Sequence, residues 1–255
     1  MNSNFKKENN EEPKVLFEDN DFIAVSKPAH MIVNKSDTSL YEYTLQDWAE
    51  NNIKYKKLDI KDKEESDFYK RAGIVHRLDK ETSGVILIAK NEEAFENLQM
   101  QFKNRLVKKA YLALCHGEIR DGGKIAVPVG RLSWNRKRFG VTPEGREAVT
   151  EFLPISVYRN PDDEKETLSL IKLFPKTGRT HQLRVHLRYI NHPIYSDLFY
   201  AGRKQSRRDR RRLGRHFLHA EEIFFLHPKT KKEIKVTAPL PSDLDSFIKA
   251  LEKIA

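Results

Sequence analysis

The sequence predicts a mixed α+β domain, and three observations point there. Runs of strand character follow one another through hairpin-like links, few helical segments lie between them, and no regular βαβ alternation is present. The 255 residues are 38% hydrophobic, with 14 Phe, 9 Tyr and 2 Trp, which is enough for a substantial core even though 33% are charged. That length admits one large domain or two small ones. No internal repeat and no Gly/Ser-rich linker divides it.

Taken in order, residues 1–13 are polar and form a flexible lead-in, and a folded domain spans 14–255. Lys14 to Val25 alternates around the turn signal EDND, which predicts two short strands ending at Ser26-Lys27-Pro28. Thr44 to Asn52 predicts a short helix with Leu45, Trp48 and Ala49 on one face, and Lys54 to Lys70 an exposed charged loop. Gly73 to Asp79 leads through the turn residues KETSG into the apolar run Gly84 to Lys90, a buried strand, so Asp79 falls in a connection. Glu92 to Arg105 spaces Phe95, Leu98 and Phe102 as an amphipathic helix with Asn91 as its N-cap. Tyr111 to Cys115 predicts a strand. Val127 to Gly145 is crowded with Pro, Gly and Arg, after which Ala148–Val157, Leu168–Phe174 and Ile234–Val236 have strand character. Ser242 to Ile254 predicts a closing, capped helix.

The function classes narrow on composition. Lys and Arg number 47 against 37 Asp and Glu, a net charge of +10, which favours a polyanionic partner without proving one. No signal-like or membrane-spanning apolar run is present, so the expected location is the cytoplasm. The single cysteine, Cys115, excludes an internal disulfide and any zinc site needing two thiolates. Without GxGxxG or GxxxxGK[ST], a nucleotide cofactor is not expected. His216 and His219 would face opposite ways on a strand, so no metal is expected either.

Three separated segments could carry chemistry: His76-Arg77-Leu78-Asp79, the tract around Tyr111, and Thr177 to Asn191. A partly desolvated aspartate beside a positioned cation stays ionised and can act as nucleophile or base, although a turn-capping aspartate is the commoner case. With Thr180 as cap of a helix to about Ile190, Arg184 and Arg188 share a cationic face opposite Leu183, Leu187 and Ile190. An arginine there can pair bidentately with a buried carboxylate. His181 and His186 lie about 140° apart on that helix, poor for sharing a metal, and are expected to hydrogen-bond. Gly202 to Arg215 holds eight cations and one acid, a block expected to be a solvated loop or a phosphate-binding arm rather than core. Arg131 to Arg138 interleaves Trp134 and precedes Phe139, a setting for stacking beside phosphate contacts.

Together GIVHRLDKETSGVILIAK, VKKAYLALCHG and TGRTHQLRVHLRYINHPIYSD resemble, in order and spacing, the RluA-type family of RNA pseudouridine synthases. AVSKPAHMIVN, Pro128 to Thr150 and FLHAEEIFFLHP add to a resemblance covering Val15 to Pro241. It implies a mixed, largely antiparallel central sheet with flanking helices and loops around an RNA-binding cleft, and cofactor-free conversion of uridine to pseudouridine in rRNA or tRNA. Asp79 would be the nucleophile, attacking C1′ as in a retaining glycosidase or C6 of the base. Tyr111 would stack on the uracil, Arg184 would pair with Asp79, Leu183 would pack near the base, and Arg77 would fill the stack it vacates. Leu78 is expected in the core. RNA contacts are expected from His76, Arg77, Arg131, Arg136, Arg138, Arg179, Arg208 and Arg211. Many relatives carry an N-terminal S4 module, and too few residues precede the catalytic domain for one here, so target choice is expected from that domain, with 202–215 as an arginine-rich insertion. A monomer is expected. The alternatives are an RNA-binding or RNA-folding protein that does not rely on catalysis, and a binder of some other polyanion.

Overall fold

The structure, a computed structural model, describes residues 11–35, 42–55, 66–161 and 163–255; the side chains of residues 136, 137 and 164 lie outside the description. The chain divides into two compact units, one of residues 1–107 and 222–238, the other of residues 108–221 and 239–255.

In the first unit, β1 (Lys14–Glu18) and β2 (Phe22–Lys27) form the expected hairpin. Asp19 makes the turn by accepting the amides of Asp21 and Phe22 at 2.8 and 2.9 Å. β2 pairs antiparallel with β3 (Ser83–Ala89), whose seven residues are all buried. The helix α1 (Leu45–Asn52) starts from a reciprocal capping box between Thr44 and Asp47 and buries Leu45, Trp48 and Ala49. The region expected to be an exposed loop lies partly outside the described residues, but its end is a short helix, α2 (Asp67–Lys70), that buries Phe68 completely enough to correct the expectation. Charge dominated that stretch; one aromatic decided it. Helix α3 (Glu92–Lys103) begins at Asn91, whose Oδ1 accepts the Ala94 amide at 2.9 Å, with Glu92 and Glu93 favourably placed in its first turn. Gly73, at φ +70°, is required by close approach, since a Cβ there would lie 2.1 Å from the Ala89 carbonyl oxygen.

The second unit is built on β4 (Lys108–His116), β9 (Asp163–Pro175), β8 (Val149–Asn160) and β5 (Gly123–Ala126), neighbours in that order and antiparallel throughout. β8 and β9 extend past the expected strands, and at their linked ends the fully buried Asn160 donates to Glu166 at 2.9 Å. β6 (Val129–Leu132) and β7 (Asn135–Val141) form a separate hairpin from the Pro/Gly/Arg-crowded region. Helix α4 (Gln182–Tyr189) packs Leu183 and Leu187 into a cluster with Ala113, Ile171, Leu173 and the half-buried Tyr111. The arginine-rich segment forms a helix, α5 (Arg203–Asp209). β10 (Leu218–Leu226) runs from the second unit into the first, where it pairs with β11 (Glu233–Thr237). The last helix, α6 (Ser242–Lys249), stops short of Ile254; the terminal residues instead hydrogen-bond beside β8, with Val157 N–H donating to the Ala255 carbonyl at 2.7 Å. Pro241 precedes α6 without a side-chain cap, another departure from expectation. Every pairing within either unit described here is antiparallel, and the sheets carry few helices.

Candidate active site

Asp79 sits half-buried in the connection before β3, where its carbonyl accepts the Thr82 amide at 3.1 Å and closes a turn. The loop is braced on both sides. His76 accepts the Leu87 amide at Nε2, 2.9 Å away, so its proton rides on Nδ1, and its ring lies 4.7 Å from that of Phe102. Lys27 is fully buried in β2, and its ammonium donates to the carbonyls of Pro28, Met31 and Lys80 at 2.7, 2.9 and 3.2 Å. Lys80 follows Asp79 directly, so a buried cation grips the loop next to the carboxylate. The SKP tract ends a strand, as expected, and nothing in its spacing signals this further role. Leu78 is buried, as expected, and Arg77 is exposed.

In the other unit, Tyr111 from β4 and Leu183 from α4 share one apolar cluster. Arg184 and Arg188 do not form a common cationic face: Arg184 is buried and Arg188 exposed. Arg184 makes a bidentate pair with the fully buried Asp197, Nε to Oδ2 at 2.7 Å and Nη2 to Oδ1 at 2.9 Å. Asp197 Oδ1 also accepts the amides of Phe199 and Tyr200. Burial raises the Asp197 pKa, but the guanidinium outweighs it and holds the carboxyl below the usual range. Asp197 was overlooked; the SD dipeptide after HPIY was its only sequence signal.

The TGRTHQLRVH motif is largely a positioning device. Gln182 accepts from Thr177 Oγ1 at 2.7 Å and from the Arg179 amide at 3.0 Å, while its Nε2 donates to Val149 O and Thr150 Oγ1. His186 lies within hydrogen-bonding distance of Thr150 Oγ1 and Val127 O, and burial lowers its pKa, consistent with a neutral ring. The expected helix cap moves by one residue: His181, with left-handed φ of 55°, precedes α4 and makes no side-chain cap, whereas its Nδ1 lies 2.9 Å from the Tyr200 hydroxyl. Both histidines hydrogen-bond, as expected. Lys109, beside Tyr111 on β4, was also overlooked; burial pushes its pKa down to about 8.

Among the expected RNA contacts, Arg131 and Arg138 lie over the rings of Phe139 and Phe199 at 5.1 and 5.8 Å, and Trp134 at the hairpin turn is 80% exposed. The side chain of Arg136 lies outside the described residues. Arg179 donates from Nε to the Glu147 carbonyl at 3.0 Å. Arg211 is exposed, but Arg208 is engaged, with Nη2 on Glu166 at 2.8 Å and Nη1 3.6 Å from Asp163. Arg215 overturns the expectation for its segment, being buried and paired with Asp243 at 2.6 Å. Among the described residues, Asp19, Asp21 and His227 form a compact group of would-be metal ligands. His227 Nδ1 accepts the amides of Lys229 and Thr230, so Nε2 carries the proton and donates to Asp19 at 2.8 Å; the cluster staples a turn.

The family model for RNA pseudouridylate synthase matches residues 21–189. The chain belongs to the RNA pseudouridine synthase family. Members are isomerases. This synthase is 34% identical over 240 residues to an uncharacterised RNA pseudouridine synthase of Bacillus subtilis (strain 168), spanning 94% of this chain and 73% of the relative. It is also 34% identical over 247 residues to ribosomal large subunit pseudouridine synthase D of Vibrio parahaemolyticus, covering 94% and 70%. The solved human RNA pseudouridylate synthase domain containing 1 superposes with a TM-score of 0.71 at 27% identity, over 96% of this synthase and 89% of that chain. The synthase has no helix among its described residues long and apolar enough to cross a membrane.

Proposed function

We propose that this synthase isomerises a specific uridine in structured RNA, with Asp79 as nucleophile, acting as a cytosolic monomer without a cofactor. Large-subunit rRNA, named for the Vibrio parahaemolyticus relative, is the first candidate substrate, and tRNA the second. The observation that carries the reading is the bracing of the HRLD loop by His76 and Lys27, which presents one carboxylate from a fixed turn. The reaction breaks N1–C1′ and forms C5–C1′ on the same uracil; C5 gives up a proton, N1 gains one, and there is no net redox change. Asp79 attacks C1′ or C6 to start it. Tyr111 stacks on the flipped uracil and assists loss of the C5 proton, and Leu183 packs beside the base. Arg184, locked in place by Asp197, supplies the cationic charge for an anionic step. Arg77 enters the vacated stack, with unstacking costing a few kcal/mol.

The test maps pseudouridine at nucleotide resolution in rRNA and tRNA from cells with and without the gene, complemented by wild type or Asp79→Asn. One site lost and restored only by wild type is the expected result. Restoration by Asp79→Asn would remove Asp79 from the chemistry, and no lost site in either RNA pool would favour a binding protein.

A further inference from the structure

The eight cations of Gly202 to Arg215 fall into two sets with different jobs. Four are tied down: Arg208 to Glu166, Arg210 to the carbonyls of Ser196 and Gly214, Arg212 to the carbonyl of Pro161, and Arg215 to Asp243. The other four, Arg203, Lys204, Arg207 and Arg211, are exposed, and none has an ion pair with a carboxylate among the described residues. Arg203, Arg207 and Arg211 recur every fourth residue, so on α5 and the turn after it they stack along one face at steps of about 6 Å. An open groove is lined by this face, with Gln205 and Arg208 at its side.

The helix exists against its own local electrostatics. Like charges four apart repel, and Arg203 and Lys204 stand at the N-terminal end, where the helix dipole disfavours cations; Gly202 offers no side-chain cap. Anchors from elsewhere hold it. Asp209, fully buried at the C-terminal end, accepts the Ser196 amide at 3.1 Å and contacts His116 Nε2 at 2.9 Å, and Glu166 takes both Gln205 at 2.9 Å and Arg208 at 2.8 Å. A structure that fixes a self-repelling helix by its inner side, while leaving the outer cations without acids among the described residues, has prepared a ridge for an external anion array.

We propose that Arg203, Lys204, Arg207 and Arg211 form a preorganised ridge that binds consecutive phosphates of one strand of the RNA, outside the nucleotide being modified. The assignment rests on the reading of RNA as the substrate. It divides the segment sharply: the outer four residues set affinity and its salt dependence, and the inner four hold the ridge in shape. Counterion release makes each phosphate contact contribute about 0.7–0.9 to the slope of log K against log salt, so removing all four should flatten that slope by about 3.

The experiment uses the full chain and two probes, a 30-nucleotide RNA hairpin and an unstructured RNA of equal length, titrated from low to high salt. The variant carries Arg203→Gln, Lys204→Gln, Arg207→Gln and Arg211→Gln, all exposed positions. A control carries Lys14→Gln, Lys124→Gln, Lys229→Gln and Lys253→Gln, removing the same formal charge from exposed sites elsewhere. Thermal melting of each chain verifies folding, and Arg207→Gln alone serves if the fourfold variant melts early. The expected result is a slope flatter by about 3 in the ridge variant and little changed in the control. An unchanged slope overturns the proposal, and so does an equal loss in the control, which would make the effect one of net charge. Loss of binding to phosphatidylglycerol vesicles with RNA binding intact would assign the ridge to a membrane and overturn it as well. Failure of the underlying function looks different: wild type would make no pseudouridine on any RNA, whatever the salt slope.

Discussion

Replacing Asp197 with Asn tests whether the second unit depends on one buried charge pair. Arg184 is 4% exposed and Asp197 0%, and the carboxylate accepts from Nε and Nη2 of the guanidinium and from two backbone amides. In the Asn variant a buried guanidinium faces a neutral amide whose NH2 must point at another donor. Removing one partner of such a pair costs about 3–5 kcal/mol. Against a typical total stability of about 5–15 kcal/mol, that is a large fraction. The native carboxyl is held below its ordinary 3.8, so its contribution is complete above that pH and is lost as pH falls through the depressed value. Urea denaturation at pH 7 should therefore show the full loss, and the gap between variant and wild type should narrow in acid. The double variant Arg184→Met, Asp197→Asn, which removes both charges and leaves the Asn Oδ1 to accept the amides of Phe199 and Tyr200, should recover much of the stability while losing turnover. A loss at pH 7 below about 1 kcal/mol, smaller than the cost of one orphaned buried polar group, would refute the reasoning.

The anchor of α5 predicts its own pH dependence. Burial lowers the His116 pKa, but the carboxylates of Asp209 and Glu166 outweigh it and raise the pKa above 6.5, while His116 brings Glu166 down to about 2. The raised histidine stabilises fully below 6.5 and loses its contribution as pH rises through the higher folded value, whereas Glu166 contributes above 4.5 and loses it toward 2. His116→Asn should flatten the alkaline side of a thermal-melting profile; an unchanged profile would show that His116 is neutral in the fold. Gly73→Ala forces a Cβ against the Ala89 carbonyl at positive φ and should cost more than about 1 kcal/mol in urea denaturation; wild-type stability would mean the loop relaxes freely. His76→Phe leaves the Leu87 amide without its acceptor, for about 1–3 kcal/mol, and should speed hydrogen exchange at that amide and lower turnover together. Unaltered exchange at Leu87 would deny His76 its bracing role.

Local signals predicted well wherever a residue acts on its own neighbours. Asn91 caps α3 and Thr44 caps α1 because a side chain three residues from an orphan amide needs no distant partner. The apolar run of β3 was equally plain. Long-range partners were not visible: Asp197, thirteen residues from Arg184, and Lys27, fifty-three from Lys80, are paired by the fold. The arginine-rich segment departs most from its sequence, since charge density suggests a solvated loop or a phosphate-binding arm and no core, while Arg215 finds Asp243 and Asp209 finds His116, distant groups that turn a repelling sequence into a helix. His181 moved a helix boundary by one residue because its left-handed backbone, unusual for a residue with a Cβ, has no sequence mark.

The first unit is discontinuous: residues 222–238 complete it only after residues 108–221 have been made. Those late residues supply Phe225 and His227 against the ring of Phe22, and Leu226, whose backbone both donates to and accepts from Gln101. A ribosome adding about 5–20 residues per second needs roughly 6–23 s to cross the intervening stretch. Throughout that interval the nascent N-terminal part lacks the partners that close its core, and its apolar strands are available to chaperones or to one another. Residues 239–255 of the second unit are made later still, so neither unit is complete until the C-terminal stretch has been synthesised, and the yield of native enzyme becomes sensitive to the speed of translation between Lys108 and Glu221.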